Sequence, residues 1–234
     1  MTKEGSIYPK NKLIILKKHM LLQPRSDDRI GTSLGEQSMS ESMSTEDKQA
    51  RLDAIASKII DRSCGLDIAK SCLNPVPGDG NPDAQLMFIG EAPGSQEDKL
   101  GRPFVGASGK FLDEMLDSIG LLRDDVFVTN IVKFRPPDNR DPSKEEIEIC
   151  LPYLLSQIKT IQPKLIVFLG RHSMNVFLPE LKISEAHGKV YKRSGMVFLP
   201  LYHPAAALYN GSMRQTLLDD FSKIPQIIQS LKTK

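Results

Sequence analysis

The sequence has few cysteines and no long apolar segment, and these absences exclude several classes of protein. Three cysteines among 234 residues cannot build a disulfide framework, and they indicate a reducing compartment. The longest apolar run near the amino terminus covers only residues 13–16, whereas a membrane-spanning helix needs about 20 apolar residues. A secretory signal also needs a longer apolar segment. We therefore expect no membrane partner and no export. We expect a cytoplasmic protein, associated with the nucleoid if the source is a prokaryote.

The overall charge does not indicate a function. The 31 Lys and Arg residues nearly balance the 29 Asp and Glu residues, and a net charge of +2 is too small to identify a nucleic-acid-binding protein. Hydrophobic residues make up 40% of the chain and charged residues 26%, which is ordinary for a folded globular protein. Composition alone therefore permits many functions and selects none.

The first 44 residues differ in composition from the rest of the chain. Residues 23–49 are rich in Ser, Asp, Glu and Gly, and such a segment buries too little apolar surface to offset its ordering entropy. We predict a flexible or partly disordered extension over residues 1–44 and a folded domain over residues 45–234. Lysines between residues 10 and 18 allow the alternative of a mitochondrial presequence, but Asp27, Asp28 and Glu36 count against it.

Short apolar runs alternate with helical patterns from residue 45 onwards. The spacing of apolar residues behind a Ser44 or Thr45 cap predicts a helix over residues 45–60. Four apolar runs are typical of strands buried on both faces of a sheet: residues 86–89, 126–129, 165–169 and 196–199. Further helices are predicted over residues 110–122, 143–160, 171–178 and 213–231. The alternation predicts an α/β fold, a three-layer α/β/α sandwich with a central four-stranded, mostly parallel sheet.

Ligands bind beyond the carboxyl ends of the strands in such sheets, so the residues that follow each strand are candidates for chemistry. The first strand runs into the glycine-rich segment 90–94, which is either a turn that lets a ligand approach the backbone or a tight turn without a ligand. The segment 101–110 is not a phosphate-binding loop, because Phe104 and Phe111 stand where such a loop needs Gly and Ser or Thr. Alone, Phe104 is either a core residue or a platform for a stacked base.

Polar residues also follow the second and fourth strands. Asn130 carries a donor beside an acceptor, which suits reading one edge of a pyrimidine or bonding the local backbone. The next loop carries Lys133, Arg135 and Arg140 among prolines, which suits phosphate contacts or a solvated surface. His203 is either catalytic or structural. No paired-cysteine or H-x-x-x-H spacing indicates zinc, and no G-x-S-x-G segment indicates a serine hydrolase.

Taken in order, these segments resemble one known family. The segment 90–94 with Glu97 and Asp98, then the segments 101–106 and 129–137, and then residues 203–206 follow the motif order of the family-four uracil-DNA glycosylases. The resemblance runs from about residue 52 to residue 231. It implies the fold of that superfamily and a hydrolase that removes flipped-out uracil from DNA, leaving an abasic site for base-excision repair. It also implies a monomer, double- or single-stranded DNA as the partner, and no cofactor required for catalysis.

The resemblance implies a role for each site residue. His203 would lie against uracil O2 and stabilise the leaving anion, while Glu91 would position water and stabilise the sugar cation. Phe104 would stack under the flipped ring, and Asn130 would read uracil O4 and N3–H. The remaining assignments are Gly90 and Ala92 in the pocket, and Glu97 with Asn139 as a supporting pair that bridges two loops.

A DNA-binding surface around the pocket is implied as well. Leu208 or Tyr209 would fill the gap that the flipped base leaves, as a wedge in the minor groove. Phosphate contacts are expected from five cations: Lys133, Arg135, Arg140, Arg171 and Arg214.

The sequence departs from the family at its iron–sulfur cluster. Most members carry four cysteine ligands; here Cys64 and Cys150 match two of them, while Asp61 and Phe134 replace the other two. Cys72 is an additional cysteine that would serve only if its loop rearranged. We therefore expect no stable cluster and no other metal site, with Phe134 packed as a hydrophobic plug.

Two other functions compete with uracil excision. A family member that had lost turnover would only bind uracil-containing or single-stranded DNA, although the presence of Glu91, Phe104, Asn130 and His203 counts against it. A nucleotide-hydrolysing domain would need the phosphate-binding loop that the segment 101–110 does not provide. A covalently DNA-trapping variant of the superfamily carries a KRRIH insertion, and residues 133–142 contain none.

Overall fold

The structure, a computed structural model, describes residues 43–208 and 210–232. The predicted extension over residues 1–44 and the alternative presequence lie outside the described residues, apart from Met43 and Ser44. The described residues from Ser44 onwards form one compact unit. Among the helices described, none combines the length and the apolar character that crossing a bilayer requires.

A six-stranded sheet lies at the centre of the described fold. Its strands, in spatial order, are β1, β3, β2, β4, β6 and β5. The four predicted strands are present and mutually parallel: β2 (Leu86–Gly90), β3 (Phe127–Asn130), β4 (Leu165–Leu169) and β6 (Met196–Leu201). Two short antiparallel strands, β1 (Asp79–Gly80) and β5 (Tyr191–Arg193), extend the two edges. Every residue of β2 and β4 is buried, as expected for strands covered on both faces.

Helices connect the strands and cover both faces of the sheet. They are α1 (Thr45–Ile60), α2 (Asp67–Ser71), α3 (Ser95–Leu100), α4 (Ala107–Ser118), α5 (Lys144–Ile161), α6 (Arg171–Phe177), α7 (Ile183–Ala186), α8 (Ala205–Leu208), α9 (Gly211–Phe221) and α10 (Ile224–Lys232). The Ser44 side chain accepts the N–H of Asp47, and the Ser143 side chain accepts the N–H of Glu146, so α1 and α5 begin at ordinary caps.

The two faces of the sheet pack against different helices, which makes the fold a three-layer α/β/α sandwich. On one face, Phe88 stacks on Phe221 of α9, with ring centroids 5.6 Å apart, and α4 and α10 join the same core. On the other face, Phe168 stacks on Phe177 of α6, with centroids 5.2 Å apart. Helices α1 and α5 contact each other, and α5 reaches the second face through Gln157.

Two helices differ from their predicted extents. Helix α4 begins at Ala107 and ends at Ser118, because the chain turns at Gly120, whose φ is +72°. The single helix predicted over residues 213–231 is two helices, α9 and α10. Pro225 is the second residue of α10, where its missing N–H costs no helical hydrogen bond.

The prediction that Lys133 contacts DNA is wrong, because its side chain is fully buried between the end of β3 and α5. The Lys133 Nζ donates to Thr129 Oγ1 (2.5 Å), to the Asn130 carbonyl (2.9 Å) and to Gln157 Oε1 (2.8 Å). Burial lowers the pKa of this amine to about 7. Lys133 therefore links the end of β3 to α5 through hydrogen bonds, and its amine is not available to contact a phosphate.

Replacing Lys133 should weaken the fold. In Lys133→Met three buried acceptors lose their donor, so we expect the free energy of unfolding to fall by about 2–4 kcal/mol. Urea-induced unfolding followed by circular dichroism measures the change. Lys70→Met removes a lysine that is 70% exposed, and it should change the stability by less than about 0.5 kcal/mol. Equal stability of the two variants would contradict the role of Lys133.

Candidate functional site

The carboxyl ends of the parallel strands open into a cavity of about 480 Å³. Loops that follow β2, β3 and β6 form its walls, together with the amino-terminal end of α4. The predicted site residues that line the cavity are Glu91, Ala92, Glu97, Phe104, Asn130, Asn139, Arg140 and His203. Residues separated by more than 100 positions in the chain therefore meet where the sequence analysis placed the chemistry.

Glu97 joins two loops of the cavity wall. Its Oε1 accepts the backbone N–H groups of Val105 (2.9 Å) and Gly106 (2.8 Å), and its Oε2 accepts that of Gly94 (3.1 Å). The carboxylate thus satisfies donors from both the 90–94 and the 101–106 segments, which fixes their spacing. Asn139, the other member of the predicted supporting pair, accepts from Arg135 Nε (2.9 Å), and among the described residues no hydrogen bond joins it to Glu97.

A close approach at Gly90 brings Phe104 and Asn130 together. A Cβ atom at Gly90 would lie 2.4 Å from Asn130 Oδ1 and 2.6 Å from Phe104 Cζ, so only glycine fits. Phe104 itself has φ +52°, and Gly109 is needed beneath it because a Cβ there would lie 1.8 Å from the Phe104 carbonyl oxygen. The flanking structure thus holds the Phe104 ring against the cavity in a backbone conformation that is unfavourable for a side chain of this kind.

Asn130 brings an unpaired hydrogen-bond acceptor to the cavity. Its Oδ1 is buried and has no hydrogen-bond partner within the described part of the chain. Leaving a buried carbonyl oxygen without a hydrogen bond costs about 1–3 kcal/mol. The main-chain carbonyl of Asn130, by contrast, accepts a hydrogen bond from Lys133 Nζ. A ligand that offers an N–H group at this point would satisfy the Asn130 side chain.

One hydrogen bond of His203 indicates the tautomer of its neutral ring. The backbone N–H of Ala205 donates to His203 Nδ1 (3.1 Å), so a neutral ring carries its proton on Nε2. Burial lowers the pKa of His203 to about 4, although the nearby carboxylate of Glu97 opposes the shift. The ring packs over Gly170, where a Cβ would lie 3.1 Å from the His203 Cβ. At neutral pH the cavity therefore contains an uncharged imidazole that offers a hydrogen-bond donor.

Glu91 lies in a group of charged side chains from three loops. Its Oε2 is 3.9 Å from His172 Nε2, which is 3.2 Å from Asp141 Oδ2. Burial raises the pKa of Glu91 to about 7; Asp141 adds to the rise and Arg171 opposes it. His172 directly follows β4, among the positions where chemistry is expected, but the resemblance gave no role to His172 or to Asp141.

Within the described ranges, one group of side chains has ligand atoms close enough to hold a metal ion. It consists of Glu91, Asp141 and His172. However, Arg171 Nε donates to His172 Nε2 (2.9 Å), and Arg171 Nη2 lies 3.4 Å from Asp141 Oδ2. The guanidinium therefore occupies the ring lone pair that a metal would use, and its charge repels a cation. Glu91, Asp141 and His172 are therefore better suited to share a proton than to bind a metal ion.

The predicted DNA-contacting residues have different surroundings. Arg140 forms two hydrogen bonds with Glu146 and is 46% exposed at the cavity mouth. Arg135 is held by Asn139 and lies 3.9 Å from the buried Asp98. The guanidinium of Arg214 pairs with Glu114 and lies 4.2 Å from the centre of the Phe111 ring.

One wedge candidate, Leu208, is the last residue of α8, close to His203 in sequence. Leu208 is 39% exposed, so its side chain reaches the surface, and its contact with DNA bases stays a prediction. The alternative wedge, Tyr209, lies outside the described residues.

The side chains at the expected cluster positions do not fit a four-cysteine iron–sulfur cluster. All three cysteines of the chain are free thiols, so the chain offers at most three thiolates. Cys72 and Cys150 are buried, and burial raises the pKa of Cys150 to about 11, which opposes the thiolate form that binds iron. Phe134 is fully buried and has no donor atom.

The sequence of this chain is similar to those of known proteins. A family model described as the uracil DNA glycosylase superfamily matches residues 77–227. The type-4 uracil-DNA glycosylase of Sulfurisphaera tokodaii is 52% identical over 164 residues, which cover 66% of this chain and 74% of that protein. Similar proteins of the same description occur in Saccharolobus solfataricus, with 45% identity over 76% of this chain and 87% of the relative, and in Archaeoglobus fulgidus, with 48% identity over 75% and 92%.

A methyl group at Gly90 should disable the cavity. In Gly90→Ala the new Cβ displaces the Phe104 ring, the Asn130 amide or both, and misplacement by about 1 Å can cost on the order of 100-fold in rate. We expect a loss of that size in single-turnover excision of uracil from DNA, with an unchanged far-ultraviolet circular dichroism spectrum. Gly211→Ala adds the same methyl group where no atom lies within 4 Å, and it should retain the wild-type rate. Normal activity in Gly90→Ala would contradict the role of the close packing at Gly90.

Proposed function

Because this chain belongs to the uracil-DNA glycosylase superfamily, we propose that it hydrolyses the N-glycosidic bond of uracil in DNA, the opening step of base-excision repair. The single observation that carries the proposal is the unpaired, buried acceptor of Asn130 beside the Phe104 ring. A pyrimidine that carries an N–H group at its edge satisfies that acceptor while its face stacks on the ring.

The base must leave the DNA stack before it enters the cavity. Extrusion costs a few kcal/mol, and stacking on an aromatic side chain returns about 1–3 kcal/mol per base. Phe104 offers such a surface, since its ring lines the cavity 5.9 Å from the His203 ring. Uracil then lies between these two rings and the Gly90–Gly94 segment.

Asn130 distinguishes uracil from cytosine. Its Oδ1 accepts uracil N3–H, and its amide group donates to O4. Cytosine presents an acceptor at N3 and a donor at the neighbouring exocyclic group, so both hydrogen bonds become mismatched. A site that leaves buried polar groups unpaired in this way rejects the wrong base by orders of magnitude.

His203 stabilises the leaving group. As the C1′–N1 bond breaks, negative charge develops on the uracil oxygens, and the proton on His203 Nε2 donates to O2. A neutral donor suits this role, because Nδ1 is already fixed by the Ala205 N–H and needs no rearrangement during the reaction. The sugar becomes an oxocarbenium-like cation at the same time.

Glu91 acts on that cation and on the attacking water. Both roles require its ionised form, since a carboxylate attracts the positive sugar and accepts a proton from water. Because burial raises its pKa to about 7, the ionised fraction rises with pH and is lost as the pH falls through 7. The rate of excision therefore rises with pH over the same range.

The finer properties of the reaction are part of the same proposal. The reaction stops at the abasic site, because the described cavity lining includes no lysine that could form a Schiff base with the sugar. It needs no metal or iron–sulfur cluster, because Arg171 competes for His172 and the chain lacks a fourth cysteine. One chain supplies every residue named, so a monomer suffices, and single- or double-stranded DNA serves because only the flipped nucleotide enters.

An oligonucleotide with one labelled uracil tests this function. With EDTA present, we expect wild type to produce abasic sites, and we expect His203→Ala to lose about 100- to 1000-fold in rate, because a preorganised donor to the anion is gone. The control is His187→Ala, which removes a histidine that pairs with Asp220 and does not line the cavity.

Three outcomes separate the alternatives. Cleavage by wild type and loss only in His203→Ala support the proposal. Tight binding of uracil DNA without cleavage would replace it with a binding module. Cleavage that EDTA abolishes would overturn the metal-independent route.

A further inference from the structure

We propose that Arg123 is a positioning residue of this site: its guanidinium holds the Pro103–Phe104 peptide in the orientation that turns the Phe104 ring towards the cavity. This inference rests on the proposed function, in which Phe104 is the stacking surface, and it names what fixes that surface. Arg123 is not among the residues that line the described cavity. It therefore acts on a bound base through Phe104 and not by contact.

The backbone of Phe104 needs support from its surroundings. Its φ of +52° lies in the left-handed region, which is unfavourable for a residue that carries a Cβ. The two planar peptide units that flank Phe104 set its φ and ψ between them. One unit carries the Pro103 carbonyl oxygen, and the other carries the Val105 N–H. A conformation of this kind persists only where the surrounding structure fixes it.

Charged side chains hold both of these peptide units. On one side of Phe104, the Val105 N–H donates to Glu97 Oε1 (2.9 Å). On the other side, Arg123 Nη2 donates to the Pro103 carbonyl oxygen (2.6 Å). Hydrogen bonds to an ionised group are shorter than neutral ones and about twice as strong. One carboxylate and one guanidinium therefore fix the main chain before and after the ring.

The fold fixes Arg123 in turn. Arg123 begins a one-turn 3-10 helix (Arg123–Asp125) between α4 and β3. Its side chain is 21% exposed, and its Nη1 lies 3.4 Å from Asp113 Oδ1 of α4. The same helix carries Gly109, whose missing side chain leaves room for the Phe104 carbonyl. Helix α4 thus supports Phe104 in two ways, directly at Gly109 and through the pair of Asp113 with Arg123.

Removal of Arg123 should disturb the ring and leave the cavity walls in place. The Pro103 carbonyl loses its donor, so the Pro103–Phe104 peptide is free to rotate. Phe104 then relaxes towards negative φ, which relieves the backbone cost and turns the ring away from the cavity. Glu97 still accepts the N–H groups of Gly94 and Gly106, so the two loops that it joins keep their spacing.

A double-mutant cycle tests whether Arg123 acts through Phe104. We expect Arg123→Met to slow single-turnover excision of uracil by on the order of tenfold, because part of the stacking on the base is lost. In the Phe104→Ala background the same substitution should change the rate by less than about twofold, because the ring that it positions is gone.

Arg193→Met is the matched control. Arg193 Nη1 also donates to a backbone carbonyl, that of Phe177 (2.9 Å), and pairs with the carboxylate of Glu180, but it does not line the described cavity. Its replacement removes the same kind of interaction from another part of the fold. We expect this variant to keep the wild-type rate.

A second measurement does not depend on excision. A Cβ at Gly90 would lie 2.6 Å from Phe104 Cζ, so one α-proton of Gly90 points at the ring, and its chemical shift reports where the ring lies. In protein labelled with ¹³C at glycine α-carbons, this resonance is assigned by its absence from Gly90→Ala. We expect it to move in Arg123→Met towards its value in Phe104→Leu, and to keep its wild-type value in Arg193→Met.

A conservative variant adds a rescue. Arg123→Lys retains a cationic donor for the Pro103 carbonyl, so it should show the same direction of change as Arg123→Met in both readouts, with a smaller size. It takes the place of Arg123→Met in both experiments if the methionine variant does not fold.

The two readouts separate this proposal from the proposed function. If wild type does not excise uracil but the Gly90 resonance moves in the Arg123 variants, the function fails and the positioning of the ring stands. If wild type excises uracil, a coupled cycle together with a moved resonance supports the proposal. An additive cycle or an unmoved resonance overturns the role of Arg123 and leaves the function standing.

Discussion

The absence of a side chain at Gly90 allows the cavity to exist. There the Phe104 ring and the Asn130 amide both approach the end of β2 more closely than any Cβ would permit. Parallel pairing of β2 with β3 places Gly90 opposite Asn130, and Gly109 permits the backbone of Phe104 to turn towards them. Backbone packing thus positions the Phe104 ring for stacking and the Asn130 amide for hydrogen bonding before any ligand is present.

Three carboxylates of the cavity have different environments and therefore different roles. Glu97 is saturated with backbone N–H donors and serves the architecture. Glu91 has few donors and a raised pKa, which suits a group that meets water and a developing cation. Asp141 is 64% exposed, and its charge adds to the rise in the pKa of Glu91. Environment, not residue type, separates these functions.

The central strands could be predicted because a local sequence pattern encodes them. The apolar runs of β2 and β4 are strands because both faces of the sheet are covered, whereas β1 and β5 at the edges are short and carry no such run. Lys133 was misassigned because a cation in a loop gives no sign of the face it occupies. His172 was given no role because its partners lie 31 and 81 positions earlier in the chain and meet it only through strand pairing.

In the proposed function the Asn130 carboxamide selects the base, and a comparison of uracil and cytosine excision by wild type and Asn130→Asp tests this selection most directly. A protonated carboxyl group donates to cytosine N3 and accepts from its amino group, so the account predicts new activity on cytosine and reduced activity on uracil. Asn175→Asp places the same change at another asparagine with a buried, unpaired Oδ1, and it should keep the wild-type preference. Unchanged preference in Asn130→Asp, with uracil still removed at the wild-type rate, would contradict the account.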